Sequence, residues 1–316
     1  MKKENVFELQ SPYRDTMRIT AYRFGDTDNA DCEKSLSIVG ATRGNEAQQM
    51  YNCSQIIAKL KILEEKGFIV QGKSIVVIPT VNNFSMNIEK RFWAMDNTDI
   101  NRMFPGYDKG ETTQRIAYHV FEYVKDYEYG IHFTSHYRPG KFIPHVRMMH
   151  TGYEDCEMAK DFGLPYVYTR NSKPYDTTTL NYNWQIWGTH AFSLYLGATA
   201  RINEEAGYQA VDAVMRFLKA HDIITGTDTI LKDGEQSRLI QSRNVVSVRI
   251  SNAGVLHKCV HVNAHVESGD LLGYILDPYE GKILQALYSP VKGRVFFTAY
   301  GPYEYEGSLV FRVVKE

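Results

Sequence analysis

The hydrophobic period of this chain switches back and forth over its first two-thirds, and this limits the folds open to it more than any other feature. "TMRITAYRFG" (16–25) and "SLSIVGA" (35–41) are short, rich in strand-favouring residues and bounded by polar or glycine punctuation. After Asn45 the apolar residues Met50, Cys53, Ile56 or Ile57, Leu60 and Leu63 recur every three or four positions, one stripe of a helix that Gly67 closes. "SIVVIP" (74–79) is a nearly continuous apolar run, as expected of a central strand covered on both faces. A second helix fits 112–127, followed by the strand "GIHF" (130–133). Further strands fit "FIPHVRMM" (142–149), "PYVYTR" (165–170) and "AFSLYLGATARI" (191–202), with helices over 154–162 and 207–224. Strand and helix in alternation predict an α/β domain, a mixed central sheet flanked by helices, over residues 1–225.

From residue 226 to 316 the character changes. Short strand-like runs such as "VVSVRI", "LLGYIL" and "RVFFTAYG" alternate with turn signals, among them Asn252-Ala253-Gly254, "ESGD" and "YEGK". This predicts a small C-terminal all-β domain, a sandwich or partial barrel. "SPVKG" (289–293) resembles a lipoyl hairpin in shape, but Lys292 reads as a turn lysine.

Composition narrows the partners. Among 316 residues, 36 Lys and Arg nearly balance 37 Asp and Glu, which argues against a general nucleic-acid binder. No apolar run reaches the ~18 residues of a membrane span, and "MKKENVFELQ" has no apolar stretch behind its lysines. Cys32, Cys53, Cys156 and Cys259 are scattered, without a C-x-x-C pair, so the expected compartment is a reducing cytoplasm.

In an open α/β sheet, ligands sit beyond the carboxyl ends of the strands. Four polar clusters fall there: Arg43, Asn45 and Glu46; "TDINRMFPG" (98–106); "GIHFTSH" (130–136); and "RINEEAG" (201–207). Glu46 and His132 are of the types that bind zinc; equally, Glu46 suits a helix first turn and His132 a hydrogen-bonded strand position. Asn101 and Arg102 read either as a carboxylate clamp or as part of a capped turn behind Asp99. Of Glu204 and Glu205, one facing inward is a candidate general base; both in solvent would simply open the helix at 207. Arg147 stands either at a cleft or in solvent. Trp184 and Trp187, three residues apart in "YDTTTLNYNWQIW" (175–187), suit packing, while the segment before them suits a ligand-facing loop.

Taken in order, "TRGNE", "DINRMFPG", "GIH" and "EAG" resemble the signatures of the succinylglutamate desuccinylase/aspartoacylase family, an offshoot of the zinc carboxypeptidase clan. Those signatures are H-G-(N/D)-E, D-x-N-R-x-F-P-G, D-L-H and a glutamate in an E-x-G setting. The resemblance runs from about residue 35 to 220, and the β region is similar to the family's C-terminal domain. It implies zinc held in part by Glu46 and His132, a substrate carboxylate held by Asn101 and Arg102, and Glu205 as the base that activates water. The implied reaction is hydrolysis of the amide of an N-acyl amino acid.

Two positions depart from the pattern. Arg43 stands where the first histidine ligand is expected, and Gly130 replaces the aspartate of D-L-H. A guanidinium has no lone pair to give a metal. Two unit charges ~4 Å apart at an effective dielectric of ~20 interact by about 4 kcal/mol, and repulsion from a dication is larger. Arg43 is therefore expected to pair with Glu46. A rebuilt site would have to draw on His136, His145 and His150, yet strand positions i and i+4 lie ~13 Å apart unless the chain turns. Two readings result: a zinc-dependent deacylase, or a metal-free descendant that binds a small carboxylate or phosphate between Arg43, Arg102 and Arg147. A third gives the β region the work of gating the cleft or mediating contacts in a homo-oligomer.

Overall fold

A computed structural model describes all residues except 28, 30 and 227–230. In chain order the strands of the large sheet are β1 (Lys2–Gln10), β2 (Thr16–Gly25), β3 (Glu33–Ala41), β4 (Lys73–Thr80), β5 (Tyr129–Phe133), β7 (His145–His150), β8 (Tyr166–Asn171), β9 (His190–Tyr195) and β10 (Arg238–Gln241); the short β6 (Gly140–Phe142) lies apart from it. The helices are α1 (Ala47–Glu65), the single turn α2 (Asn83–Met86), α3 (Thr112–Val124), α4 (Leu180–Ile186) and α5 (Glu204–Ala220). The spatial order is β1-β2-β4-β3-β5-β9-β7-β8-β10. Strands β4, β3, β5 and β9 run parallel; β7 reverses against β9.

Side-chain alternation places the helices. On β4, Ile75 and Val77 pack with Cys53, Ile56 and Leu60 of α1 and with Phe217 of α5. Val76 and Ile78 point the other way, into the core with Ile116 and Val120 of α3 and Trp184 of α4. The apolar run that predicted a strand buried on both faces is that strand. Gly130 has a packing reason: a Cβ there would come within 2.9 Å of the Trp184 ring, so the aspartate of the family pattern has no room. The Trp184 indole donates to the Val124 carbonyl at 3.2 Å.

Some expected elements are shorter or absent. Residues 154–162 form only a 3-10 turn over Met158–Phe162, and β9 stops at Tyr195. Trp187, expected in the core, is 55% exposed, edge-on to Phe121. Helix α5 begins at Glu204 rather than 207, because the Asn203 side chain accepts from the Ala206 N–H and caps it. The edge strand β1 went unread in the sequence; its alternation is faint, with Phe7 buried among charged neighbours.

The C-terminal strands β11 (Val245–Arg249), β12 (Gly254–Lys258), β13 (His265–Val266), β14 (Leu271–Leu276), β15 (Ile283–Tyr288), β16 (Gly293–Ala299), β17 (Tyr303–Glu304) and β18 (Leu309–Lys315) form two antiparallel sheets, β11-β18-β16-β13 and β15-β14-β12-β17. The change of character expected at 226 adjoins residues 227–230, outside the described residues. The chain links the two regions twice: β10 pairs with β8 in the large sheet, and β6 pairs with β16 in the small one. Lys292 is an exposed turn residue paired with Glu267. Among the described residues no helix is long and apolar enough to cross a membrane.

Candidate functional site: an arginine-lined cavity

Register builds the floor of the site. His132 on β5 lies opposite Ser193 on β9, Ser193 opposite Arg147 on β7, and Arg147 opposite Tyr168 on β8. Side chains directly across a ladder share a face, so this row forms one line across the sheet. The next row adds His145 opposite Tyr195. Above the floor are Asn101 and Arg102 from the turn after Asp99, and Tyr175, Asp176, Thr179 and Asn181 from the segment before α4, as that loop's composition suggested. Together they enclose a cavity of about 490 Å³. Its wall carries eight Arg and Lys side chains against one carboxylate, Asp176, and that carboxylate is held by Arg170 at 2.6 Å.

At one end lies Arg43, 3% exposed. Its guanidinium contacts Asp99 through Nε (3.1 Å to each carboxylate oxygen) and Nη2 (2.9 Å), and Glu46 Oε1 through Nη1 (3.1 Å). Glu46 is fully buried and its oxygens are taken. Oε2 accepts from the Thr42 and Arg43 N–H groups at 3.0 Å, and Oε1 also accepts from Ser135 Oγ at 2.6 Å. Burial alone would weaken Arg43's hold on its proton, but Glu46 and Asp99 more than offset this, and its pKa is raised. Asp99 also caps the turn by accepting from the Asn101 N–H. Asn101 Oδ1 in turn accepts from the Leu180 N–H that opens α4.

His132 lies close enough to feel both charges. Burial pushes its pKa down to about 4; Glu46 and Asp99 pull it up, while Arg43 and Arg102 push it further down. It is therefore neutral near pH 7, and its buried Nε2 has no hydrogen-bond partner in the protein. Of the expected ligand set, His132 is the residue left without a hydrogen-bond partner among the described residues.

The donor set does not fit zinc. The first ligand position holds a cation, the carboxylate of Glu46 is spent on that cation and four further donors, and one imidazole, that of His132, remains. The alternative histidines do not converge. His136 is packed against Phe142 and Phe297, His145 lies under Arg147, and the exposed His150 pairs with Glu154. Among the described residues no group of three His, Cys, Asp or Glu could share an ion.

At the other end of the cavity the arginines lack carboxylates. Arg147 is 7% exposed and stacks over Tyr195 (4.0 Å to the ring centre), Tyr168 (5.1 Å) and Phe142 (5.2 Å). Its Nη2 meets His145 Nε2 at 3.1 Å, while His145 Nδ1 lies 2.8 Å from the Ile143 carbonyl. Both contacts are satisfied only if Nδ1 carries the proton and Nε2 accepts. Arg312 of β18 completes this end, its pKa pushed down to about 10 by burial and by the charge of Arg147. Arg91 and Arg102, between the two ends, also have lowered pKa values, through burial and then Arg43. Among the described residues no carboxylate forms an ion pair with Arg91, Arg102, Arg147 or Arg312.

The structure thus brings together Arg43, Asn101, Arg102, His132 and Arg147 on one cavity, with Glu46 directly behind Arg43. It does not bring Glu205 there. That residue is an exposed first-turn acid of α5, on the wall of a separate groove. A second x-x-G setting, Tyr195-Leu196-Gly197, ends β9 and does reach the cavity, with tyrosine where E-x-G has glutamate. Reading "SLYLG" as a strand end would have found it. Arg91, Arg170 and Arg312 were also missed, since nothing local distinguishes them from surface arginines.

Residues 32–221 match the family model of the succinylglutamate desuccinylase/aspartoacylase catalytic domain. The fold is similar to that of a succinylglutamate desuccinylase/aspartoacylase from Rhodobacter sphaeroides (18% identity, TM-score 0.79) and a succinylglutamate desuccinylase from Silicibacter sp. (16%, 0.81). It is also similar to the product-bound ectoine utilization protein EutE of Ruegeria pomeroyi (16%, 0.80). In each comparison 99% of this chain and 95% of the other is covered. No curated protein matches the chain.

Proposed function

From the premise that this chain belongs to the succinylglutamate desuccinylase/aspartoacylase family, we propose that its cavity binds a small, multiply charged anion without a zinc centre. One observation carries this reading: Arg43 occupies the first ligand position as the cation of a buried triad with Glu46 and Asp99. A triad with two carboxylates around one guanidinium is closed to further ligands and works as structure. The binding function falls to the arginines without carboxylates.

Arg102 is the expected anchor for a carboxylate, its guanidinium steadied by Nη1 donating to the Asn101 carbonyl at 2.7 Å. Arg91, nearby in the same wall, adds a second charge. Both are partly desolvated, so a carboxylate arriving there replaces cation repulsion with charge-assisted hydrogen bonds. The test is titration calorimetry with succinate on the purified protein. Arg102→Gln is expected to weaken binding at least tenfold; succinate binding that ignores Arg102→Gln contradicts the reading.

The deacylase reading has its own support, because Asn101, Arg102 and His132 line one cavity as the family resemblance implied. It lacks a base: Asp176 is held by Arg170, and Glu205 is elsewhere. Release of free amine from N-succinyl or N-acetyl amino acids, with added zinc and above the rate of a His132→Ala control, would favour it. The expected result is no such excess.

A further inference from the structure

The far end of the cavity carries an inference of its own, one that rests on reading the cavity as an anion site. Arg147 and Arg312 come from different parts of the molecule and meet through a shared aromatic row. Phe142 of β6 lies opposite Phe297 of β16, and Phe297 lies opposite Arg312 of β18. Side chains across a ladder share a face, so Arg312 follows the row that ends at Phe142, the ring over which Arg147 stacks. Three rings lie within 5.2 Å of the Arg147 guanidinium carbon. Its Nε and that of Arg312 are buried without a hydrogen-bond partner in the protein. Phe142, Tyr168 and Tyr195 offer no carboxylate, and His145 uses its free lone pair on one Arg147 N–H.

Two guanidiniums at one place call for about two negative charges there. A carboxylate brings one charge and two oxygens. A phosphomonoester brings about −1.5 to −2 near neutrality and three acceptor oxygens, enough for both forks; a phosphonate, the weaker acid, offers the same oxygens and gains its second charge beside two cations. We propose that Arg147 and Arg312 form a subsite for a doubly charged tetrahedral group, the phosphoryl or phosphonyl head of a ligand whose carboxylate lies at Arg91 and Arg102. The pairing of β6 with β16 joins the two regions at this end of the cavity, so the C-terminal region supplies part of the ligand site.

The test compares phosphonoacetate, 3-phosphonopropionate and 4-phosphonobutyrate with malonate, succinate and glutarate by calorimetry on the full chain. The monomethyl ester of each phosphonate, similar in shape with one charge fewer, is the control. At least one phosphonate is expected to bind ten or more times tighter than its length-matched dicarboxylate, with the ester losing that margin. Arg312→Gln, at a partly exposed position, and Arg147→Gln are each expected to abolish the preference, with circular dichroism confirming the fold. Equal affinities, or a preference that survives Arg312→Gln while Arg102→Gln still weakens binding, would overturn the subsite and leave the cavity reading intact. No binding that depends on Arg102 would overturn both.

Discussion

The two ends of the cavity each hold a buried arginine, and the two arginines are treated in opposite ways. Arg43 faces two carboxylates, shares hydrogen bonds with both, and closes its end. Arg147 has no carboxylate, rests on three aromatic rings and shares its end with a second cation. A guanidinium taken from water is tolerated only with compensation. Where the protein supplies all of it, the residue is structural. Where the protein supplies ring faces and one neutral imidazole nitrogen, on the proposed reading the missing anion comes from outside. On that reading, the same type of side chain stands in for a metal at one end and waits for an anion at the other.

The strongest way to break this contrast is Arg43→Ala. It leaves Glu46 and Asp99 facing each other without a cation, and the expected loss is about 3–5 kcal/mol, a fall in Tm on the order of 10 °C by scanning calorimetry. A loss under ~1 kcal/mol would mean the triad is not structural. Acid comes next. The fold holds His132 neutral with a pKa near 4 against the usual 6.5, so the unfolded chain takes the proton first. Stability is full above ~6.5 and falls as pH drops toward 4, by about 2 kcal/mol at pH 5 from His132 alone. His136 and His145, also held well below their usual pKa by burial and then by Arg147, act in the same direction. Urea melts at pH 7.5 and 5 check this; equal midpoints would contradict it. Succinate at five times its Kd should add about 1 kcal/mol to wild-type stability and nothing to Arg102→Gln. Smallest is Arg312→Met without ligand, expected to change stability by less than ~1 kcal/mol, with a gain more natural than a loss. A loss as large as that of Arg43→Ala would make both ends structural and end the comparison.

Much of this was legible in the sequence, for reasons that differ by residue. The doubly covered strand over 74–79 and helices α1 and α3 announced themselves through period. Arg43 could be placed because it stands just beyond the end of β3, Asn101 and Arg102 because they stand in a short, recognisable run, and the pairing of Arg43 with Glu46 followed from charge. Asp99 was seen only as a cap, although it is also Arg43's second partner 56 positions away. Glu205 was misplaced because an acid before a glycine looks the same whether it opens a helix in solvent or ends a strand at a cavity. Arg312 was invisible, since its meeting with Arg147 involves the short β6, between β5 and β7 in the chain, pairing with β16. Long-range pairing of that kind has no local signature.

The central claim is that Arg43, with Glu46 and Asp99, has replaced the metal site. Elemental analysis of protein purified without chelator or metal-affinity resin, then dialysed against micromolar zinc, tests it most directly. The account predicts zinc far below one per chain, and zinc approaching one per chain in Arg43→His, which restores an imidazole. Stoichiometric zinc in the wild-type protein would contradict it.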